Sequence, residues 1–168
     1  MVDVAIVVRE ARLEDAERLS VFLREAWREA GPGAPGWTGA TEETVQHVAS
    51  RGFLSDLLDG GDTRVFIALS EGRVVGFSSN RRVSDELVEL SGIVVLESMT
   101  GLGVGGRLLS RSLEAARGDG YESMMVKTET FNERAVSFYL RKGFTRDATG
   151  EENVGGSKVE LVRLVRQL

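Results

Sequence analysis

The chain changes its hydrophobic period several times, and each change marks an element. Residues 4–10, VAIVVRE, are an apolar, β-branched run, which predicts a strand. In the following RLEDAERLSVFLREAWREA, the residues Leu13, Ala16, Leu19, Leu23, Ala26, Trp27 and Ala30 fall on one helical stripe. Acidic side chains crowd its first turns, where a helix dipole favours them. GPGAPGW holds both prolines, Pro32 and Pro35, and reads as a loop. Thr41 with Glu42 and Glu43 makes an N-cap and an acidic first turn, so a short helix should run to about Leu58, with a break near Gly52.

Strand signals then take over. Residues 63–70 and 73–80 form a predicted hairpin about the Glu71-Gly72 turn, and residues 86–97 a further strand. A glycine-rich stretch leads into a helix to about Arg117, with Val104, Leu108, Leu113 and Ala116 on its buried face. Residues 123–129 read as a strand. NERAVSFYLRKG reads as a helix capped by Asn132 and closed by Gly143. FTRD and KVELVRLV are late strands, and ATGEENVGGS between them is a polar, glycine-rich loop.

This order predicts a mixed α/β fold. Its central sheet is mostly antiparallel and flanked by helices, with a hairpin-type front half and a crossover in the back half. The 168 residues suit one domain and can bury a core without staples. No internal repeat, heptad seam or shift of composition marks a second one.

Composition narrows the chemistry. Cysteine is absent, which removes disulfides, thiolate metal sites and a cysteine nucleophile. The one histidine, His47, has no pattern of partners, so neither a metal site nor a Ser-His-Asp triad is expected. The formal net charge of −5 disfavours nucleic acid as the main ligand. It is compatible with cationic substrates such as amines, although solubility alone accounts for it. No apolar run is long enough to cross a membrane, and the first residues do not read as a secretion signal, so a cytoplasmic location is expected.

The informative stretch is TGLGVGGRLL, beginning at Thr100. Gly101, Gly103 and Gly105 alternate, Gly106 follows, and a helix begins. The first N–H groups of a helix lack intrahelical acceptors and sit at its positive end, so such a segment can cradle an anion. A tight turn explains glycines equally well. Arg107 and Leu108 after Gly106 do not make a P-loop, and the glycine spacing and place in the chain are not those of a Rossmann fingerprint.

Two stretches together resemble the GCN5-related N-acetyltransferases (GNAT). VVLESMTGLGVGGRLL resembles that superfamily's acyl-CoA-binding segment, and NERAVSFYLRKGF its Asn-to-Phe-Tyr-x-x-x-Gly-Phe stretch. With the element order, the resemblance covers nearly the whole chain as a single domain. The front half would shape the acceptor site, and residues 86–145 or so would form the acyl-CoA-binding core. The usual Gln or Arg is Thr100 here, and Glu97 replaces a frequent proline. The N–H cradle depends on backbone and survives. Arg107 offers a substitute cation, although a solvent-facing helix arginine is the plainer reading.

The resemblance implies transfer of an acetyl group from acetyl-CoA to a primary amine by direct attack through a tetrahedral intermediate, without a metal. Leu102, Gly103, Val104, Gly105, Gly106 and Asn132 would contact the cofactor, and the Val95 N–H would stabilise the oxyanion. Glu89, with Glu86 second, is the candidate base, and Tyr139 the acid for the departing thiolate. Each has a plainer structural reading: an exposed strand start for the glutamates, core packing for Tyr139 and helix capping for Asn132. The acceptor, a small-molecule or peptide amine, would meet the GPGAPGW loop, the helix after it and the late TGEENVGG loop. Trp37 could line an apolar wall there, while Trp27 lies on the core stripe. Relatives of this kind are commonly homodimers. Two other readings stand beside this one: a non-catalytic acyl-CoA-binding or sensory module of the same fold, and a nucleotide-binding α/β protein.

Overall fold

Seven strands form one sheet in the order β1-β2-β3-β4-β5-β7-β6. The structure, a computed structural model, describes residues 4–168. The strands are β1 (Ile6–Glu10), β2 (Thr63–Ser70), β3 (Arg73–Arg82), β4 (Leu87–Val95), β5 (Ser123–Glu129), β6 (Thr145–Val154) and β7 (Ser157–Gln167). The helices are α1 (Ala16–Ala30), α2 (Glu42–Val48), α3 (Arg51–Asp59), α4 (Val104–Gly118) and α5 (Glu133–Arg141). Every neighbouring pair is antiparallel except β4 and β5, which are parallel and joined through α4. The expected mixed, mostly antiparallel sheet flanked by helices is the fold observed.

Beyond shifts of one or two residues at the ends of β1, β3, β4 and β7, three boundaries differ from expectation. The helix break falls at Ala49 and Ser50 rather than Gly52, because the Ser50 hydroxyl caps α3 by accepting from the Phe53 N–H at 3.3 Å. The first long helix begins at Ala16, after a 3₁₀ turn over Leu13–Asp15. The predicted ATGEENVGGS loop is largely strand: β6 runs to Val154, and Gly155 and Gly156 make the turn into β7. Almost every residue of β6 is exposed, so no apolar alternation marks it. Its ladder with β7 is what holds it.

One face of the sheet lies under α4 and α5. Val88 and Leu90 of β4, Met124 and Val126 of β5 and Leu164 of β7 meet Leu109 and Leu113 of α4 and Val136 and Tyr139 of α5 in one buried cluster. A polar clamp fixes α4 to β3: Ser78 and Ser112 share a hydrogen bond at 2.9 Å, and the Asn80 side-chain amide donates to the Ser112 carbonyl at 2.9 Å. Leu19, Phe22, Leu23 and Ala26 of α1 belong to a second core with β2 and β3.

Candidate active site

β4 and β5 pair only from Leu87↔Ser123 to Leu90↔Val126. Beyond Leu90, β4 carries a bulge: Ser91 and Gly92 together oppose Ser79 of β3, and Gly92 has φ 129°. The extra residue bends β4, and its last residues make no pair with β5. A gap opens between two parallel strands.

The antiparallel ladder shows which backbone groups face that gap. The Leu96 N–H donates to the Val75 carbonyl at 3.0 Å. In an antiparallel pair, successive residues alternate between pointing their amides at the partner and away from it. Val95, in register with Gly76, and Ile93, in register with Ser78, therefore turn their N–H groups away from β3, toward the edge that β5 has left. Val95 is the donor expected from sequence. Ile93 is an addition, because the phase of the ladder is not written in side-chain identity.

The glycine segment continues from this edge. Gly103 is the N-cap of α4 in the left-handed region, φ 79°, where an L side chain would be strained. Among the described residues, the N–H groups of Leu102, Gly103, Val104, Gly105 and Gly106 find no backbone acceptor; that of Arg107 is the first to do so, donating to the Gly103 carbonyl at 3.1 Å. Apart from its chain neighbours, no atom lies within 4 Å of where a β-carbon on Gly103 would stand. These are open donors at the positive end of a fifteen-residue helix.

A cation that the sequence does not point to stands beside them. A β-carbon on Gly106 would lie 3.5 Å from Lys142 Nζ. That ammonium also sits 5.9 Å from the Phe138 ring centre. It forms no ion pair among the described residues. Lys142 follows α5 and belongs to the other recognised stretch, so only the packing of α5 beside the start of α4 reveals it. Arg107, the cation offered by sequence, is exposed.

Tyr139 is buried in the cluster that holds Leu90 and Val126, the last register pair before the gap. Its ring lies edge-on to Phe138 and Phe144, with centroids 5.2 and 5.4 Å away. Burial pushes its phenol well above the usual tyrosine range, which keeps the proton on. Asn132 caps α5, its side-chain carbonyl accepting from the Ala135 N–H at 3.2 Å. Capping uses the oxygen alone, so the NH₂ group is left for a ligand, and the two roles expected of this side chain are compatible.

Glu89 lies on the opposite face of the sheet from Tyr139, since its neighbours Val88 and Leu90 point into the Tyr139 cluster and strand side chains alternate. It is 14% exposed, and its Oε1 accepts from Arg81 Nη2 at 2.8 Å. Glu86 precedes β4 and is exposed; its carbonyl accepts from the N–H groups of Glu122 and Ser123. The structure thus packs Tyr139 beside the last register pair before the gap, turns the Val95 amide into the gap, leaves the glycine amides open at the start of α4, puts Glu89 on the far face and leaves Glu86 at the surface.

Residues 18–144 match the Acetyltransferase (GNAT) family. The chain belongs to it. An uncharacterized N-acetyltransferase of Mycobacterium tuberculosis (strain H37Rv) is 26% identical over 156 residues, covering 93% of this chain and 99% of the relative. YncA of Salmonella typhimurium, solved with its cofactor acetyl-CoA, superposes with TM-score 0.72 at 26% identity over 98% of this chain and 94% of that one. PaiA N-acetyltransferase of Thermoplasma acidophilum, solved in complex with coenzyme A, has the same fold at TM-score 0.75 and 20% identity, over 98% of this chain and 99% of that one.

The site's donor set fits an acyl-CoA. Unpaired amides and a lone ammonium suit a diphosphate, and amides turned to a strand gap suit a thioester carbonyl. Among the described residues there is no group of three or more His, Asp or Glu side chains that could hold a metal ion.

Proposed function

We propose that this GNAT protein transfers the acetyl group of acetyl-CoA to a primary amine by direct attack, in the gap between β4 and β5. The observation that carries the reading is the turning of the Ile93 and Val95 amides into that gap, continuous with the open amides from Leu102 to Gly106.

The bound cofactor supplies an activated thioester. The N–H groups of Leu102, Gly103, Val104, Gly105 and Gly106 hold its diphosphate, and Lys142 supplies the cation that Thr100 does not. The Asn132 side-chain NH₂ donates to it as well. The Val95 N–H is the donor for the carbonyl oxygen as negative charge grows there. Glu89 takes a proton from the attacking nitrogen, directly or through one water, with Oε2 free of the Arg81 contact. Tyr139 gives its proton to the departing sulfur. The carbon–nitrogen bond forms first, giving the tetrahedral intermediate, and the carbon–sulfur bond breaks as that intermediate collapses; Glu89 ends with one proton more and Tyr139 with one fewer, and solvent restores both.

A thermal-shift titration with acetyl-CoA, CoA, ATP and NAD tests the cofactor, because a ligand bound only by the native state raises apparent stability. Acetyl-CoA and CoA should shift the transition, and ATP and NAD should not. Amine-dependent thiol release then tests transfer. Binding without such release for any of a broad amine set would favour the non-catalytic module.

A further inference from the structure

Glu129 is a buried carboxylate, 7% exposed, that the proposed chemistry does not use. It ends β5, beyond the point where β4 parts, on the sheet face that carries Glu89: Met125 is the register partner of Glu89, and Met125, Lys127 and Glu129 alternate onto one side. Its two oxygens accept from the Gly36 N–H at 2.8 and 3.0 Å, and Oε2 also accepts from the Thr38 hydroxyl. A core carboxylate is thus spent on a surface loop.

The same segment is fixed at two further points. Upstream, Glu29 near the end of α1 accepts from the Ser98 N–H and hydroxyl at 3.4 and 3.3 Å, just past β4. Downstream, Gly39 packs against the β6–β7 turn so closely that a β-carbon on it would stand 2.3 Å from the Val154 carbonyl oxygen. One on Gly155 would stand 2.0 Å from the Gly39 oxygen. Residues 29–39 therefore run from the exit of β4, across the gap, to the end of β5 and the hairpin tip.

We infer that this segment is an arch over the acceptor side of the gap, and that Glu129 is the positioning residue that sets it for a compact primary amine. The inference rests on the acetyl-transfer reading above and names its substrate class. An extended polypeptide lying across the gap would have to displace the arch at a buried carboxylate and at a backbone-to-backbone contact. A small amine makes no such demand. Glu129→Gln keeps one acceptor oxygen but removes the charge and puts an NH₂ group in place of the second oxygen shared by the Gly36 N–H and the Thr38 hydroxyl, and Thr38→Val removes one hydroxyl without touching the core.

The test uses three probes with acetyl-CoA: tyramine, spermidine and the capped peptide acetyl-Gly-Lys-Gly-amide. At least one of the two amines should drive thiol release and the peptide should not. Glu129→Gln should raise the KM of the accepted amine roughly tenfold, keep kcat within about threefold and leave the KM for acetyl-CoA unchanged, with a smaller rise for Thr38→Val. Efficient use of the peptide, or an amine KM unmoved by Glu129→Gln, overturns the inference. If no probe releases thiol, amide hydrogen exchange decides. Faster exchange at residues 36–39 in both variants, with residues 102–106 unchanged, supports the arch; unchanged exchange at 36–39 refutes it. A wild-type protein that fails to bind acetyl-CoA removes the transfer reading, while the exchange result still judges the arch.

Discussion

The ammonium of Lys142 stands 3.5 Å from where a β-carbon on Gly106 would be, against the first turn of α4. A cation held at the positive end of a helix, with no carboxylate partner among the described residues, is electrostatically favourable only when an anion joins it. Lys142→Ala should weaken CoA binding by about 1 kcal/mol, roughly fivefold in Kd. The loss should shrink as salt is raised. Calorimetric titration at two ionic strengths gives both numbers, and equal affinities for the two proteins would remove Lys142 from the site.

Tyr139→Phe deletes one oxygen and keeps the ring that packs between Phe138 and Phe144. If the hydroxyl protonates the leaving sulfur, kcat should fall about a hundredfold while CoA affinity stays within about twofold. Steady-state rates and a binding titration on the same preparation separate the two. A variant as fast as wild type would reduce Tyr139 to packing.

The same phenol makes stability depend on alkaline pH. Its folded pKa is raised by burial, so the unfolded chain loses this proton first. The neutral form's contribution is complete below about pH 10, the unfolded value, and is lost as pH rises above it. Thermal melts from pH 9 to 11 should show a steeper decline for wild type than for Tyr139→Phe. Parallel curves would contradict the burial argument.

Asp15 gives the acidic counterpart. It is 1% exposed and accepts from Arg9 at 2.7 and 2.9 Å and from the Arg12 N–H at 2.7 Å. Arg9 hydrogen-bonding holds its carboxyl below the usual range, against the opposing effect of burial. Its stabilisation is therefore present above about pH 4 and lost as pH falls through the lowered folded value. Asp15→Asn should cost about 3 kcal/mol at neutral pH, roughly 6–12 °C in Tm. The gap between the two proteins should narrow as acid is added, and a constant gap would count against the ion pair as its cause.

Glu89→Gln removes the proposed proton acceptor and keeps a side chain of the same shape beside Arg81. It should lower kcat about a hundredfold and leave acetyl-CoA affinity intact. Full activity would move the base elsewhere or leave deprotonation to solvent.

Element order is legible in the sequence because it rests on local signals. The strand over Ser123–Glu129 and the capping of α5 by Asn132 follow from a short apolar run and one side-chain oxygen. β6 is not legible, because a two-sided, solvent-exposed strand carries no hydrophobic period. The α2–α3 break is easily misplaced because glycine is a conspicuous breaker, whereas the Ser50 cap that sets the boundary is inconspicuous. Glu129 carries no signal at all: a glutamate closing a strand reads as solvated until the Gly36 and Thr38 donors are folded onto it.

By itself the sequence determined the mixed sheet, the glycine entry to α4, and the narrowing of chemistry that follows from no cysteine, one histidine and a modest negative charge. These are properties of short windows and totals. The tertiary structure decided where β4 leaves β5, which strand amides turn into the gap, that Lys142 rather than Arg107 meets Gly106, and that Glu129 fastens residues 36–38. Each of those depends on register or on contacts between segments far apart in the chain. Hydrogen-bond phase and long-range packing are fixed only when the whole sheet closes, so no window of sequence contains them.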